Sequence, residues 1–134
     1  MHWTAELATH FQTTGGIGTL GTDLFYGYIP ATPIDAVAVI PYAGSPALPR
    51  FGQQGIYLEY PRAQVRVRRQ RGQAATALTV AEAAFRASQR DNVTLSGTLY
   101  HWLRPLQSPY LLSIDETGAV EVCFNVEAEK ELSA

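Results

Sequence analysis

Gly16-Ile17-Gly18-Thr19-Leu20-Gly21 is the first segment whose residue types and spacing could do chemistry, since G-x-G-x-x-G loops cradle the phosphates of dinucleotides. That chemistry needs the glycines to leave a strand and open a helix, so that the phosphates meet the helix N-terminus. Here the segment follows a stretch with helical spacing and leads into an aromatic, strand-like run. The order is reversed, and a connection with positive backbone angles is expected instead. The histidines are His2, His10 and His101, and no two stand i, i+4 as a helical zinc pair would. His101 sits between Tyr100 and Trp102, and in a strand it points away from both, which suits solvent or an interface. Cys123 is the sole cysteine, so an internal disulfide and a cysteine-rich metal site are excluded. No local motif supplies a base to activate its thiol. Asp115-Glu116 lies in a turn, and no Ser-His-Asp arrangement accompanies a nucleophile turn. No catalytic residue, cofactor or metal is expected.

The charge pattern says more. Formal net charge is only −2, which excludes a global pull toward nucleic acid or acidic membranes. Arginines cluster at Arg62, Arg66, Arg68, Arg69 and Arg71, while half of the 12 acidic residues fall from Asp115 to Glu131 beside one cation, Lys130. One segment is therefore basic and the C-terminal segment acidic. Two arrangements account for this: ion pairing across strands of one sheet, or a subunit whose acidic face meets the basic face of a neighbour, head to tail, as rings require. Nucleic-acid binding by the arginine strand lacks aromatic residues interleaved on the same face.

These residues need elements to position them. Trp3, Leu7 and Phe11 are spaced i, i+4, i+8 and predict a helix over 2–14, stopped by Gly15-Gly16. Strands are expected at 23–29, at 36–40 as a buried central run, and at 63–69, where Val65 and Val67 oppose Gln64, Arg66 and Arg68. Between them, 41–61 carries Pro41, Pro46, Pro49 and Pro61 and reads as a long Pro/Gly loop, with a short edge strand at 56–60. An alanine-rich helix is expected over 74–90, with Leu78, Ala81, Phe85 and Ser88 as its stripe and Asp91-Asn92 at its end. Three more strands follow at 99–103, 110–114 and 119–129, the last two joined by the turn Asp115-Glu116-Thr117-Gly118. In the last strand Val120, Val122, Phe124, Val126 and Ala128 face a core, and Glu121, Cys123, Asn125, Glu127 and Glu129 face water. The 134 residues form one domain, 1–134: an α+β fold with a mostly antiparallel sheet of four to six strands and two helices packed on it. No run approaches the ~20 apolar residues of a membrane helix, and no secretion signal opens the chain, so assembly in the cytoplasm is expected.

Four patches, in order along the chain, carry a family resemblance. They are Gly18-Thr19-Leu20-Gly21-Thr22-Asp23-Leu24-Phe25, closing with Gly27 and Pro30; Tyr60-Pro61 leading into Val65-Arg66-Val67-Arg68; Val93-Thr94-Leu95-Ser96-Gly97, followed by an aromatic strand and Ser108-Pro109; and Asp115-Glu116-Thr117-Gly118 leading to Phe124-Asn125-Val126. Together they resemble the tail terminator (minor capsid) proteins of long-tailed bacteriophages. The segment 45–55 departs from the pattern. The resemblance implies a small α/β subunit that forms a ring, a hexamer, on the last ring of tail-tube protein. It implies that the ring halts tube growth and presents a surface to the head-completion or connector protein, at the tail–head neck of the virion, with genomic DNA passing through without specific binding. On that reading Arg66, Arg68 and Arg69 meet Glu121, Glu127 and Glu129 of a neighbour, and Arg50 and Phe51 contact the tube or connector. A head-closure or connector protein of similar size is the near alternative, and a small nucleotide-binding domain the distant one.

Overall fold

The computed structural model describes residues 2–49 and 56–133. Helix α1 spans Trp3–Thr14. Its start is set by His2, whose ring Nδ1 accepts from the Thr4 amide at 3.2 Å and satisfies one of the otherwise unpaired N–H groups of a first turn. Trp3, Leu7 and Phe11 are buried, as their spacing predicts, and each takes apolar surface worth roughly 1.5–3 kcal/mol out of water. Then follow β1 (Leu24–Tyr26), β2 (Ala36–Pro49), β3 (Ile56–Arg69), α2 (Ala74–Ala87), β4 (Arg90–Leu95), β5 (Thr98–Pro105), β6 (Tyr110–Ile114) and β7 (Val120–Ser133). The α+β class holds, with seven strands among the described residues.

The sheet runs β1-β2-β3-β7-β5-β4, with β6 also on β7. All pairings are antiparallel except that of β1 with β2. β7 is the spine. One edge pairs with β3; the other is divided, Val120–Cys123 with β6 and Val126–Lys130 with β5. Val65 and Val67 of β3 and Val122, Phe124, Val126 and Ala128 of β7 form the buried face, and α2 packs chiefly over these two strands. The α2 stripe differs from the expected one. Ala77, Ala81, Ala84 and Ala87 are buried, while Leu78 is 38% exposed. A row of methyl groups lets the helix axis approach the sheet more closely than a leucine row would. Phe85 leans over the side to meet Phe124 edge-on, with ring centroids 5.7 Å apart. α2 also stops at Ala87, because Arg90 already belongs to β4.

The segment 41–61 is not the long loop its prolines suggest. β2 continues to Pro49 and β3 begins at Ile56. β1 accompanies β2 only as far as the Tyr26–Val39 pair, so the outer half of β2 is a sheet edge, where prolines are tolerated. Pro61 has strands on both sides, and the β3–β7 ladder passes over it, from Glu59–Lys130 to Arg62–Glu127. Across from it the β2 register shifts between Tyr42 and Gly44. Gly44 has φ +155°, and a Cβ there would lie 2.9 Å from the Tyr60 carbonyl oxygen. β4 is also unforeseen. It joins β5 through Ser96-Gly97, with φ of 49° and 84°, the positive pair that a two-residue hairpin requires. The β6–β7 turn is the expected one: the Asp115 carboxylate accepts from the Thr117 hydroxyl at 2.7 Å and from the Thr117 and Ala119 amides at 2.9 Å. Those bonds, the hydroxyl first, hold the Asp115 carboxyl below the usual carboxylate range.

Candidate functional site

The glycine motif can be placed first. Gly16–Gly21 leaves the C-terminus of α1 and enters β1, so no helix N-terminus faces it. Its hydrogen bonds are internal. The Asp23 carboxylate accepts from the Thr19 amide at 2.6 Å and the Gln12 side chain from the Leu20 amide at 2.7 Å. Gly18 is small because Asp23 lies against it: a Cβ there would stand 2.9 Å from the carboxylate. The loop is a self-satisfied turn. A concavity of about 280 Å³ between α1 and β4 holds Glu6 and His10, but both are engaged. Glu6 accepts from Thr98 and Tyr100. His10 donates from Nε2 to the Ala87 carbonyl at 2.9 Å, and burial lowers its pKa, favouring the neutral ring.

Arg62, Arg66, Arg68, Glu121, Glu127 and Glu129 lie on the sheet face away from the helices, whereas Arg69 follows the phase of Val65 and Val67 on the helix side. β3 and β7 are neighbours, so the basic and acidic strands meet inside one chain. Arg66 bonds Glu121, and Arg68 lies 4.0 Å from the same carboxylate. Arg68 also donates to the carbonyls of Ile34 and Pro33 at 2.9 Å and to that of Pro30, pinning the β1–β2 connection to β3. Glu127 pairs with Arg62 at 2.6 Å. Glu129 accepts from the Tyr60 hydroxyl at 2.7 Å, which raises that phenol's pKa above its ordinary value, and faces the His101 Nδ1 at 3.3 Å. His101 reaches Glu131 at 3.1 Å as well. Arg69 donates to the Arg68 carbonyl at 2.9 Å. Cross-strand pairing, the first of the two arrangements the charge pattern allows, thus accounts for Arg66, Arg68, Glu121 and Glu127. Arg50 and Phe51 lie outside the described residues.

Two features of this face correct the simple core-and-water alternation. Cys123 is on the expected side but fully buried, paired across the ladder with Tyr110 and approached by the Gln64 amide at 3.7 Å. Glu121 is nearly buried too, which suits a carboxylate held by two guanidinium groups. Sequence reasoning passed over Arg62, although it stands in the arginine cluster. It also passed over Tyr60, Trp102 and Arg104, which line the same face with Tyr60 and Trp102 rings 6.4 Å apart and the Arg104 guanidinium 4.5 Å from the Trp102 ring. The two-residue spacing within each strand, Tyr60 with Arg62 and Trp102 with Arg104, was the available signal.

The described residues hold no group of three or more metal-ligating side chains, and no helix among them is long and apolar enough to cross a membrane. The family model described as "Bacteriophage tail terminator protein" matches residues 13–132. The chain belongs to that family. It is thereby a tail-associated structural protein of a virion. Among solved structures, a chain of the "Virion of native gene transfer agent (GTA) particle" matches with a TM-score of 0.68 at 14% identity, covering 96% of this chain and 94% of that one. At that identity the likeness shows the fold. No curated protein sequence matches this chain.

Proposed function

We propose that this terminator closes the phage tail tube. Six copies form a ring on the last ring of tail-tube protein, stop its polymerisation and present a surface to the head-completion or connector protein. The protein then resides at the tail–head neck of the virion, after assembly in the host cytoplasm, and the genome passes through the ring without specific contacts. Membership of the terminator family over residues 13–132 carries this reading. The geometry supports it in two ways. Polar groups in the glycine turn and in the α1–β4 concavity are taken up within the fold, which suits a protein whose work is contact rather than chemistry. The sheet also ends in two different edges, as a head-to-tail ring needs.

Arg66, Arg68, Arg69, Glu121, Glu127 and Glu129 can meet a neighbour only by sharing groups largely engaged at home, so there they set register and partner choice rather than strength. Arg50 and Phe51, between β2 and β3, are proposed to touch the tube or connector. The test is the mass of the purified protein, alone and mixed with its tail-tube protein, by native mass spectrometry. A sixfold mass, or a complex formed only with tube protein, is the expected result. A monomer indifferent to tube protein overturns it and favours a head-closure role.

A further inference from the structure

Building on the ring reading, we infer that neighbouring copies join by seating β6 of one subunit in the aromatic concavity beside β1 of the next. The two surfaces end the same row of the sheet. That row runs Leu24–Val37–Val67–Val122–Leu111, from β1 through β2, β3 and β7 to β6. Four strand spacings place its ends about 19 Å apart.

β6 is uncovered on its faces. All five of its residues are exposed. Leu111 and Ile114 are 55% and 61% exposed although their strand partners, Val122 and Val120, are buried. The core layer therefore continues into β6, but the cover does not, because α2 lies over β3 and β7. An apolar strand left open in this way is an adhesive edge unless something covers it.

At the other end of the row the shape is reversed. Leu20, Leu24, Phe25, Tyr26 and Tyr28 line a concavity of about 510 Å³, and Tyr28 is 60% exposed at its rim. The backbone there is partly closed already: the Leu24 amide donates to the Thr19 carbonyl, and the Leu24 carbonyl accepts from Gly21. Contact at this end is thus made by side chains, with β6 entering as a ridge of leucine and isoleucine. One molecule carries an aliphatic ridge at one end of a sheet row and an aromatic hollow at the other. A second copy of this chain supplies the match for each, and the contact is heterologous, so it can close a ring. Interface anchors of this aromatic kind carry most of an interface's strength.

The experiment uses the full-length protein with its tail-tube protein in two steps. Native mass spectrometry of the unaltered protein first shows whether a ring forms. The double variant Leu111→Glu, Ile114→Glu, at exposed positions, is then compared after circular dichroism has shown it folded. Assembly weakened about tenfold or more is expected. Independently, the variant Ile114→Cys, Tyr28→Cys is oxidised, with the native Cys123 buried out of reach. It is expected to give a covalent ladder of subunits, and each single cysteine variant none. Rings formed by the folded glutamate variant, with no ladder, overturn the inference and leave the ring reading standing. Cross-linking by Ile114→Cys alone overturns it too, since that marks a two-fold contact. If the unaltered protein never assembles, the ring reading fails and this one with it.

Discussion

Glu6 shows what a single residue does here and why it escaped notice. Its carboxylate is 1% exposed. It accepts from the Thr98 and Tyr100 hydroxyls, each at 2.7 Å, and lies 3.9 Å from the Lys130 ammonium. Lys130 is itself buried, 3.9 Å from Glu59. These bonds tie α1 to β5 and β7. Burial and the Glu6 bond together push the Tyr100 phenol far above its ordinary pKa, so it stays a donor. Replacing Glu6 by leucine leaves two hydroxyls without their acceptor and the buried Lys130 ammonium with Glu59 as its remaining carboxylate, and is expected to cost about 3–5 kcal/mol. Glu6→Gln keeps an acceptor and loses the charge, for about 1–3 kcal/mol. Urea unfolding of both checks the order, and adding Lys130→Met to Glu6→Leu is expected to recover part of the loss. Equal stability of Glu6→Leu and the unaltered protein would refute the account. The signal was present in the sequence: Glu6 stands i+3 from Trp3 on the buried stripe, and Lys130 continues the core-facing phase of Val120 to Ala128. A charge in an apolar phase reads as an interruption until its partner is known, and these partners are 124 positions apart (from 6 to 130).

At the scale of elements, legibility followed one-sided burial. α1, the inner part of β3 and most of β7 were readable because each has one covered side, which imprints a period of 3.6 or 2 on the sequence. β6 was readable although its faces are open, because its apolar composition lies between Pro109 and the Asp115 turn. The outer halves of β2 and β3 were not, because prolines at a sheet edge and at a ladder gap look the same in sequence as prolines in a loop. The α2 stripe was misplaced because alanine carries little hydrophobic signal beside Leu78 and Phe85. Gly44 packs closely against Tyr60 and Pro61 where the β2–β3 register shifts, and one added methyl group disturbs that approach. In Gly44→Ala the added Cβ meets the Tyr60 carbonyl oxygen, and the strands must part there. A loss of about 1–3 kcal/mol is expected. Hydrogen exchange is expected to speed up at Tyr42 and Arg62, next to the irregularity, and to stay unchanged at Val37 and Val67. Uniform acceleration along both strands would mean that the bulge does not localise the strain.

For the whole molecule, the question is what holds one subunit to the next, and salt separates the two answers. The sequence displayed a basic and an acidic segment but not their adjacency, since strand order is non-local. The fold sets β3 beside β7, and the Arg66–Glu121 and Arg62–Glu127 pairs largely cancel the polarity within one subunit. The Arg62–Glu127 pair, the more exposed of the two, is of the kind that contributes about 0.2–1 kcal/mol, enough to hold register between strands. A ring joined through β6 and the β1 concavity buries apolar surface, which salt does not screen. A ring joined by arginines on one subunit and glutamates on the next weakens as salt rises, because the Debye length falls from about 14 Å at about 0.05 M to about 4 Å at about 0.5 M. Sedimentation velocity of the assembly across that range is expected to show subunit association changing by less than about threefold. A fall of more than about tenfold would return the contact to Arg66, Arg68 and Arg69 against a neighbour's Glu121, Glu127 and Glu129. In the proposed ring a formal charge of only −2 per subunit keeps repulsion between neighbouring copies small, so the proposed apolar contact has little electrostatic cost to overcome.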